Sequence, residues 1–444
     1  MKIKFKNSLF VIGLALIGKQ VFAQSMNTSA DSVICGTDAP GIQWENWFNQ
    51  KVEEYKQNLA TGKVQQNNYT IPIVVHIIHG GQAVGTYPNL SQAQVNSQFT
   101  VLNHDYAGTG VHANSVPAVF SGLVANTGIQ FCPVTIDPQG NPLPEPGIDR
   151  VNYNVKGFAN PASMPTKAAL MAFMDSVAMP ATIWDVNKYL NVWVTDKHAG
   201  ITLLGHSTFP IGTHLPGFSP TGTALKDGIW CSGYSFGSQG SWPLYVNYNY
   251  GRTLTHEIGH WLGVMHVWGD SICRTDYCND TPPAAAANSG SPSHPLHMGL
   301  CPGDTSGEMF MNFMDYSNDY NKYMFTPDQV ARMQTTMLTG TYRTQMGTHG
   351  VCNAVGIENR RSDFSVSIFP VPCRDNLFIE PKFSSGKNLN ISLISLLGQI
   401  LDQQVIKNSQ GDVIRLDIRP YEKGIYLLEI NDGTSSLVRK ICIE

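Results

Sequence analysis

The apolar and polar positions change pattern along the chain. Up to about residue 200, apolar runs of strand length alternate with amphipathic stretches of helical period. The predicted strands are 69–80, 129–137 and 190–195, and the predicted helices are 91–99 and 165–179. This alternation favours an α/β layer. Residues 198–242 are rich in Gly, Ser and Pro and predict loops rather than periodic structure.

A second pattern begins near residue 363. Short alternating runs recur there, separated mostly by turn-forming residues. The seven runs read SVSIFP, NLFIE, LNISLIS, QILDQQVI, DVIRLDI, GIYLLEI and SLVRKICI. Their length and spacing predict a small all-β sandwich over residues 363–444, joined to the first part by a linker at 351–362.

The N-terminus has the pattern of a secretory signal peptide. Three lysines within the first six residues precede an apolar run at 9–17, which is too short to span a bilayer. Val21 and Ala23 suit a signal peptidase, which predicts cleavage before Gln24. The alternative is a buried N-terminal helix. No later stretch predicts a transmembrane segment, so we expect an exported protein whose cysteines can oxidise.

Composition narrows the function classes. The 444 residues suggest two or three domains, and 42% hydrophobic residues suffice for a packed core. A formal net charge of −4 gives no basis for nucleic-acid binding by phosphate neutralisation. We therefore divide the chain into a signal peptide (1–23), a short, soft segment read as a propeptide (24–66), a catalytic domain (67–350), the linker and the sandwich.

The most informative stretch is THEIGHWLGVMHVWGD, residues 255–270. On a helix, His256 and His260 lie one turn apart on the same face and can bind one zinc ion, with Glu257 beside them. A catalytic zinc needs three protein ligands and an open position. His266 can be the third ligand only if the helix stops, and Gly263 supplies the permissive backbone for that stop. The alternatives are a helix with core histidines and an inactive zinc protein.

The motif HExxHxxGxxH resembles that of the metzincin zinc peptidases. That clan has a methionine turn beneath the metal, and Met314 in MFMNFMDY fits it, as an apolar floor rather than a ligand. Tyr316 matches a tyrosine that in several metzincin families stabilises the tetrahedral oxyanion. The alternative for Tyr316 is a buried aromatic residue.

Within the clan, residues 69–346 resemble the bacterial pappalysin (ulilysin-like) family. The resemblance rests on stretches such as IPIVVHIIH, DYCNDTP and MFMNFMDYSNDYNKYMFTPDQVARM. It implies an α+β fold with two lobes, an upper twisted sheet with helices and a lower irregular lobe that carries His266 and Met314. It also implies that zinc acidifies a bound water, that Glu257 takes its proton, and that substrate binds along the sheet's edge strand.

The resemblance implies further sites. Asp270, Asp276, Asp280 and Thr281 follow the third histidine, and oxygen ligands suit Ca²⁺. Asp276 and Thr281 match the positions of a structural calcium in the family, the alternative being a solvated acidic loop. Asp319 is a candidate for a pocket that selects a basic residue.

The nine cysteines raise two questions. Relatives have four in the loop after the motif and this chain has three, so we expect a disulfide between Cys273 and Cys301, with Cys278 unassigned. Cys35, in a CGT triplet that resembles the family's propeptide, is a candidate zinc ligand for latency. The alternatives for Cys35 are a disulfide partner and an idle thiol.

The predicted sandwich resembles the C-terminal sorting domain of the bacterial type IX secretion system, the alternative being an ordinary binding module. His76, His79, His104, His198 and His206 lack metal spacing, which predicts structural roles. The sequence thus predicts a secreted or surface-held zinc endopeptidase acting on proteins or peptides, with zinc and calcium as cofactors. The alternatives are a surface adhesin or peptide-binding protein with a non-catalytic zinc site, and a zinc hydrolase of non-peptide amides.

Overall fold

The structure, a computed structural model, describes residues 34–38, 40–210, 223–238, 243–346, 351–352, 365–382, 387–395, 400–409, 412–431 and 436–444. The predicted signal peptide and most of the predicted linker lie outside these residues. Within them, no helix combines the length and the apolar character that crossing a membrane requires.

A mostly parallel sheet organises the first unit. Its strands are β1 (Tyr69–His79), β2 (Ile129–Pro133), β3 (Ile148–Asn152), β4 (Leu190–Thr195), β5 (Gly205–Ser207) and β6 (Ile229–Ser232). The order is β2-β1-β4-β6-β5, β3 pairs with the second half of β1, and β5 is antiparallel to β6. Nine consecutive residues of β1 are buried, because a central parallel strand is covered on both faces.

Helices cover the sheet. They are α1 (Ile42–Ala60), α2 (Gln92–Tyr106), α3 (Tyr153–Lys156), α4 (Lys167–Phe173), α5 (Met179–Thr182), α6 (Arg252–Trp261) and α7 (Pro327–Thr339). Side chains of α2, α6 and α7 share one core with β1, β4 and β6, while α4 and α5 pack with Trp193 and Trp230 in a second core. Ser91 caps α2 through its side chain, and Thr326 begins α7 with a capping box.

Several predicted boundaries need correction. The helix predicted at 91–99 runs on to Tyr106, and the strand predicted at 129–137 ends at Pro133. Residues 198–242, expected to be loops, contain β5 and β6. The three-residue β5 is too short to leave a periodic pattern, and it exists because β6 pairs with it.

The segment 24–66 is also more ordered than expected, because α1 occupies nineteen of its residues. Trp44, Phe48, Val52 and Tyr55 are all buried and repeat at spacings of three or four, which is a helical period. They pack against Met265 and other residues of the catalytic region. The apolar period of these residues predicts a helix, so the expectation of a short, soft segment at 24–66 was wrong.

The second lobe is irregular, as predicted. Between α6 and α7, residues 262–326 are all described and contain one 3₁₀ turn, Asp319–Asn321, and no strand. A disulfide joins Cys273 to Cys301, the pair expected from the resemblance. A second disulfide, Cys132–Cys352, was not predicted and ties β2 to the end of the catalytic region.

The C-terminal unit has the seven predicted strands. They are β7 (Ser365–Phe369), β8 (Asn376–Lys382), β9 (Lys387–Ser395), β10 (Ile400–Ser409), β11 (Ile414–Asp417), β12 (Gly424–Asn431) and β13 (Ser436–Ile443). They form two antiparallel sheets, β10-β9-β12-β13 and β11-β8-β7. Leu377, Ile391 and Leu428 belong to the apolar core of this unit. The predicted fold class, an α+β domain followed by an all-β sandwich, is confirmed.

Candidate active site

The helix that carries the histidine pair stops just after the pair. α6 ends at Trp261, and Gly263 has φ +84°, a conformation that favours glycine. The Thr336 hydroxyl donates to the Leu262 carbonyl, and the Arg332 guanidinium donates to the Gly263 carbonyl, each at 2.8 Å. A Cβ on residue 263 would lie 2.7 Å from Thr336 Oγ1, so both backbone and space require glycine. This turn redirects the chain toward the third histidine.

The three histidines of the motif converge. His260 Nε2 lies 3.1 Å from His256 Nε2 and 3.1 Å from His266 Nε2. All three residues are buried. Their ligand atoms and the sulfur of Cys35 all lie within 4.8 Å of one another. Among the described His, Cys, Asp and Glu residues, these four form the group that could hold a metal ion.

The other ring nitrogens are all engaged. His256 Nδ1 lies 2.7 Å from the Phe313 carbonyl oxygen, and His260 Nδ1 lies 2.8 Å from the Val264 carbonyl oxygen. Because a carbonyl only accepts, each Nδ1 carries the proton and each Nε2 presents a lone pair. His266 Nδ1 lies 2.5 Å from Asp270 Oδ1, which orients the third ring in the same way.

This donor set fits a zinc ion. Three nitrogens bound tetrahedrally at 2.0–2.1 Å would stand about 3.3 Å apart, close to the observed 3.1 Å. Burial lowers the pKa of His256 and His260 well below the ordinary range, which keeps both rings in the neutral, ligating form. The three Nε2 atoms present lone pairs to one another with no proton between them, and a cation bound among them would accept these lone pairs.

Glu257 lies beside this cluster and is almost fully buried. Burial raises its pKa to about 7. The hydrogen bond that the Thr37 hydroxyl donates to it, at 2.9 Å, acts in the opposite direction and lowers the pKa. The backbone of β5 passes so close that a Cβ on Gly205 would lie 2.4 Å from Glu257 Oε1. A carboxyl with a pKa near neutrality can both take and return a proton.

Met314 and Tyr316 lie next to the histidines. Met314 is fully buried, and its Sδ would lie 2.4 Å from a Cβ on Gly259, so the helix needs glycine where the methionine packs. The Tyr316 ring centroid is 5.0 Å from that of His266 and 5.8 Å from that of His256. Burial and the nearby Cys35 raise the pKa of Tyr316, so its hydroxyl stays protonated and can donate.

The segment around Cys35 runs along the sheet's edge. It pairs with β5 through Gly36 N to Gly205 O and Leu204 N to Ile34 O, both 2.8 Å. The pairing is parallel and places the buried Cys35 at the three imidazoles. Next to it, the Thr37 hydroxyl accepts from Ser207 N at 2.8 Å while it donates to the catalytic-site carboxylate.

The acidic residues after the motif do not form one cluster. Asp276 is buried, accepts from the Thr281 hydroxyl at 2.8 Å, and has a pKa raised by burial to about 7. Asp280 instead accepts from Thr326 Oγ1 and Asp328 N at the start of α7. We expected Asp270 and Asp280 to belong to an acidic loop that suits calcium. The Asp270 carboxylate instead contacts the His266 ring, and the Asp280 carboxylate lies at the N-terminus of α7.

Asp319 is bonded to the backbone near the start of α6. It is fully buried, and its Oδ2 accepts from Tyr250 N at 3.0 Å and Arg252 N at 3.2 Å, at the start of α6. The five histidines predicted to have structural roles do not join the metal-binding cluster of the described residues. His76, for example, is buried between Asp149 and Asn191, with hydrogen bonds of 2.8 and 2.9 Å.

Sequence reasoning missed several residues of the site. Thr37 and Gly205 lie against the Glu257 carboxylate, Gly259 lies against Met314, and Asp270 binds His266, and of these only Asp270 has a diagnostic spacing. Asp270 was detectable, because it lies four residues after His266 and metal-bound histidines usually have an oxygen partner. The others become visible only through the folded contacts.

Comparison with known proteins agrees with this geometry. The profile of the pregnancy-associated plasma protein-A peptidases matches residues 237–338, and that of a secretion system C-terminal sorting domain matches residues 367–444. An extracellular metalloprotease of Colletotrichum graminicola is 41% identical over 304 residues, which are 67% of this chain and 87% of that protein. One of Verticillium alfalfae is 26% identical over 337 residues, which are 75% of this chain and 98% of that protein.

Two solved structures are similar over the first unit. A promirolysin variant of Tannerella forsythia is 30% identical with a TM-score of 0.55, covering 71% of this chain and 98% of its own. Mature mirolysin with a cleaved peptide is 31% identical with a TM-score of 0.53, covering 65% and 99%. The adhesin alternative is therefore not favoured, and the protein is secreted or held at the cell surface. The chain belongs to the pappalysin family of zinc metalloendopeptidases and carries a type IX sorting domain.

Proposed function

We propose that His256, His260 and His266 hold the zinc ion that the family implies, and that Glu257 is the general base of peptide hydrolysis. The observation that carries the proposal is the convergence of three Nε2 atoms, two pairs of them 3.1 Å apart, with every Nδ1 engaged by an oxygen. Zinc bound there would polarise the scissile carbonyl and acidify water.

The chain's own groups supply the remaining chemistry. Glu257, adjacent in the chain to the ligand His256, takes the proton of the attacking water and delivers it to the leaving amine. Tyr316, protonated and 5.0 Å from the His266 ring, donates to the developing oxyanion. Met314 packs against Gly259 of α6, next to His260, and so supplies apolar contact below the metal-binding helix.

The test uses processed protein and casein or a quenched peptide. We expect a chelator to abolish hydrolysis and added Zn²⁺ to restore it. Glu257→Gln should keep the metal by elemental analysis and lose about 10²–10⁴-fold in rate, the range of general-base catalysis. Asp185→Asn, at an exposed carboxylate, is the control and should match the parent. A zinc-loaded protein that binds peptides without cleaving them would support the adhesin alternative instead.

We further propose that the precursor is latent because Cys35 occupies the fourth zinc position. Cys35 is buried within 4.8 Å of the three imidazoles, and Thr37 engages Glu257, so one triplet covers both the metal and the base. Cys35→Ala precursor should become active earlier than the parent, whereas Cys442→Ala, in the sandwich, should not. Equal latency of Cys35→Ala and parent would refute the role.

Calcium is proposed at Asp276 and Thr281. A buried carboxylate whose pKa is raised to about 7 gains from a cation, and carboxylate and hydroxyl oxygens are ligands that Ca²⁺ accepts. Added Ca²⁺ should raise the Tm of the parent and leave that of Asp276→Asn unchanged, with Asp185→Asn behaving like the parent. A parent Tm that does not respond to Ca²⁺ would contradict the proposal.

The natural partners are proposed as protein or peptide substrates and the type IX secretion machinery, which would read the sandwich. Mass spectrometry of peptides released from a mixed proteome would identify the cleaved bonds. Secretion by a host with and without that machinery would test the second partner.

A further inference from the structure

A small cavity lies beside the general base. Its walls include Tyr248 from the loop before α6, Thr253 and Glu257 from α6, and Tyr316 and Lys322. Ile34 and Cys35 of the N-terminal segment also line it, so the cavity opens further once that segment leaves. Because Glu257 stands at the scissile bond, a substrate residue that flanks the bond can place its side chain here.

Lys322 is the positive charge of this cavity. Its side chain is 3% exposed, and its Nζ lies 3.4 Å from Asp319 Oδ1 and 5.9 Å from the centroid of the Tyr248 ring. Among the residues that the structure describes, no second carboxylate lies within 4 Å of this ammonium. An ammonium has three donors, and a single contact of 3.4 Å leaves it able to bind another acceptor.

Besides the general base Glu257, two carboxylates at the cavity are already engaged. Asp315 also lines it, but its Oδ1 accepts from Asn288 N and Tyr316 N, and its Oδ2 accepts from Asn288 Nδ2. Asp319 is fully buried, its Oδ2 accepts from backbone amides, and its Oδ1 lies 3.4 Å from Lys322 Nζ. Apart from the general base Glu257, Lys322 is therefore the charged group of the cavity wall with hydrogen-bonding capacity toward an incoming side chain.

We infer that Lys322 makes this cavity a subsite for an acidic side chain, Asp or Glu, next to the cleaved bond. The ammonium would donate to the substrate carboxylate, while a substrate lysine or arginine would meet a like charge in a buried setting. This reverses the basic preference that a free Asp319 would have produced. The inference rests on the peptidase activity and adds the substrate residue to it.

The experiment uses the processed enzyme and quenched peptides identical except for Glu, Gln or Lys at one position, on either side of the scissile bond. We expect kcat/KM for the Glu peptide to exceed that for the Gln peptide by about 10- to 100-fold, the effect of one charge-assisted hydrogen bond. The Lys peptide should be the poorest, and salt should narrow the difference.

Lys322→Met keeps the length of the side chain and removes its charge, so it should bring the Glu to Gln ratio to about one. Lys322→Arg should retain a preference for Glu. Lys226→Met, whose lysine pairs with Asp175 outside the cavity, is the matched control and should keep the parental ratio. Equal ratios in Lys322→Met and parent would overturn the inference.

Two outcomes separate this inference from the activity beneath it. Hydrolysis of all three peptides at similar rates, or a preference for Lys, by the parent enzyme would refute the role of Lys322 and leave the peptidase intact. Failure of the zinc-loaded parent to cleave any peptide or casein would refute the peptidase assignment instead. Because the parent's peptide ratios decide the matter, a variant that does not fold leaves the inference testable.

Discussion

At the scale of single residues, the catalytic region relies on buried polar groups that are each matched to one partner. His256 and His260 present Nε2 because carbonyl oxygens hold their Nδ1 protons, and Asp270 does the same for His266. Burial is what makes these partners decisive, since an unpaired polar group away from water is costly. A substitution of a partner should therefore disturb the ring it orients.

Asp105 leads to a prediction on pH. Burial raises the pKa of this carboxyl to about 6. The charge of Arg252 and the hydrogen bond from Thr255 act in the opposite direction and lower the pKa, but burial has the larger effect. The folded protein therefore keeps a proton that the unfolded chain has released. The contribution of Asp105 to the free energy of unfolding is therefore fully present below pH 4 and is lost as the pH rises through about 6. The loss amounts to about 3 kcal/mol.

Asp105→Asn should remove this dependence, so that the free energy of unfolding of the parent, relative to the variant, falls between pH 4 and pH 7. Denaturant unfolding at several pH values measures it. Glu54→Gln, at an exposed position, should leave the slope nearly unchanged. A parallel pH profile for Asp105→Asn and parent would contradict the assignment.

At the scale of elements, α1 is the main contact between the N-terminal segment and the catalytic region. Glu45 and Arg332 form an ion pair of 2.9 Å in which both side chains are at most 2% exposed. Arg332 also binds the Gly263 carbonyl, so the pair connects α1 to the turn that positions His266. Because α1 begins seven residues after Cys35, it holds the segment that covers the histidines.

Glu45→Gln should destabilise the precursor by about 3–5 kcal/mol, since it leaves the buried Arg332 without its carboxylate. It should also hasten the appearance of activity, because the anchor of the covering segment is weaker. Denaturation of the precursor and a time course of peptide hydrolysis measure the two effects. Glu54→Gln, on the exposed face of the same helix, should change stability by less than about 1 kcal/mol. Equal effects of the two substitutions would show that the ion pair does not matter.

At the scale of the whole molecule, the chain has separate apolar cores for catalysis and for sorting. The catalytic core lies between the mixed sheet and its helices, and the sandwich has its own core between two antiparallel sheets. Units with separate cores can fold separately. The activity and the export signal should therefore be separable.

Deletion of residues 367–444 should leave kcat/KM and the thermal stability of the catalytic unit within about twofold and 2 °C of the parent. The same deletion should strongly reduce the amount of protein outside the cell. Peptide hydrolysis by purified protein and cell fractionation measure the two effects. Loss of activity from soluble, folded truncated protein would show that the sandwich contributes to the site.

Much of the site could be predicted because its spacing is local. His256 and His260 lie on one helical face with Glu257 beside them, and Gly263 marks where the helix must end, so a single stretch of chain carries its own geometry. The seven sandwich strands were likewise visible as alternating runs. By contrast, α1 was overlooked although its period was present, and β5 has no period to find.

The sequence by itself thus determined the metal motif, the fold class and the order of the domains, because periodicity and residue spacing act over a few turns or strands. Only the tertiary structure decided that Thr37 donates to Glu257, 220 residues away in the chain. It also decided that Asp319 accepts from backbone amides near the start of α6, and that Lys322 lines the cavity beside Glu257. Such contacts depend on how distant segments pack, and packing distances leave no mark on the linear spacing of residues.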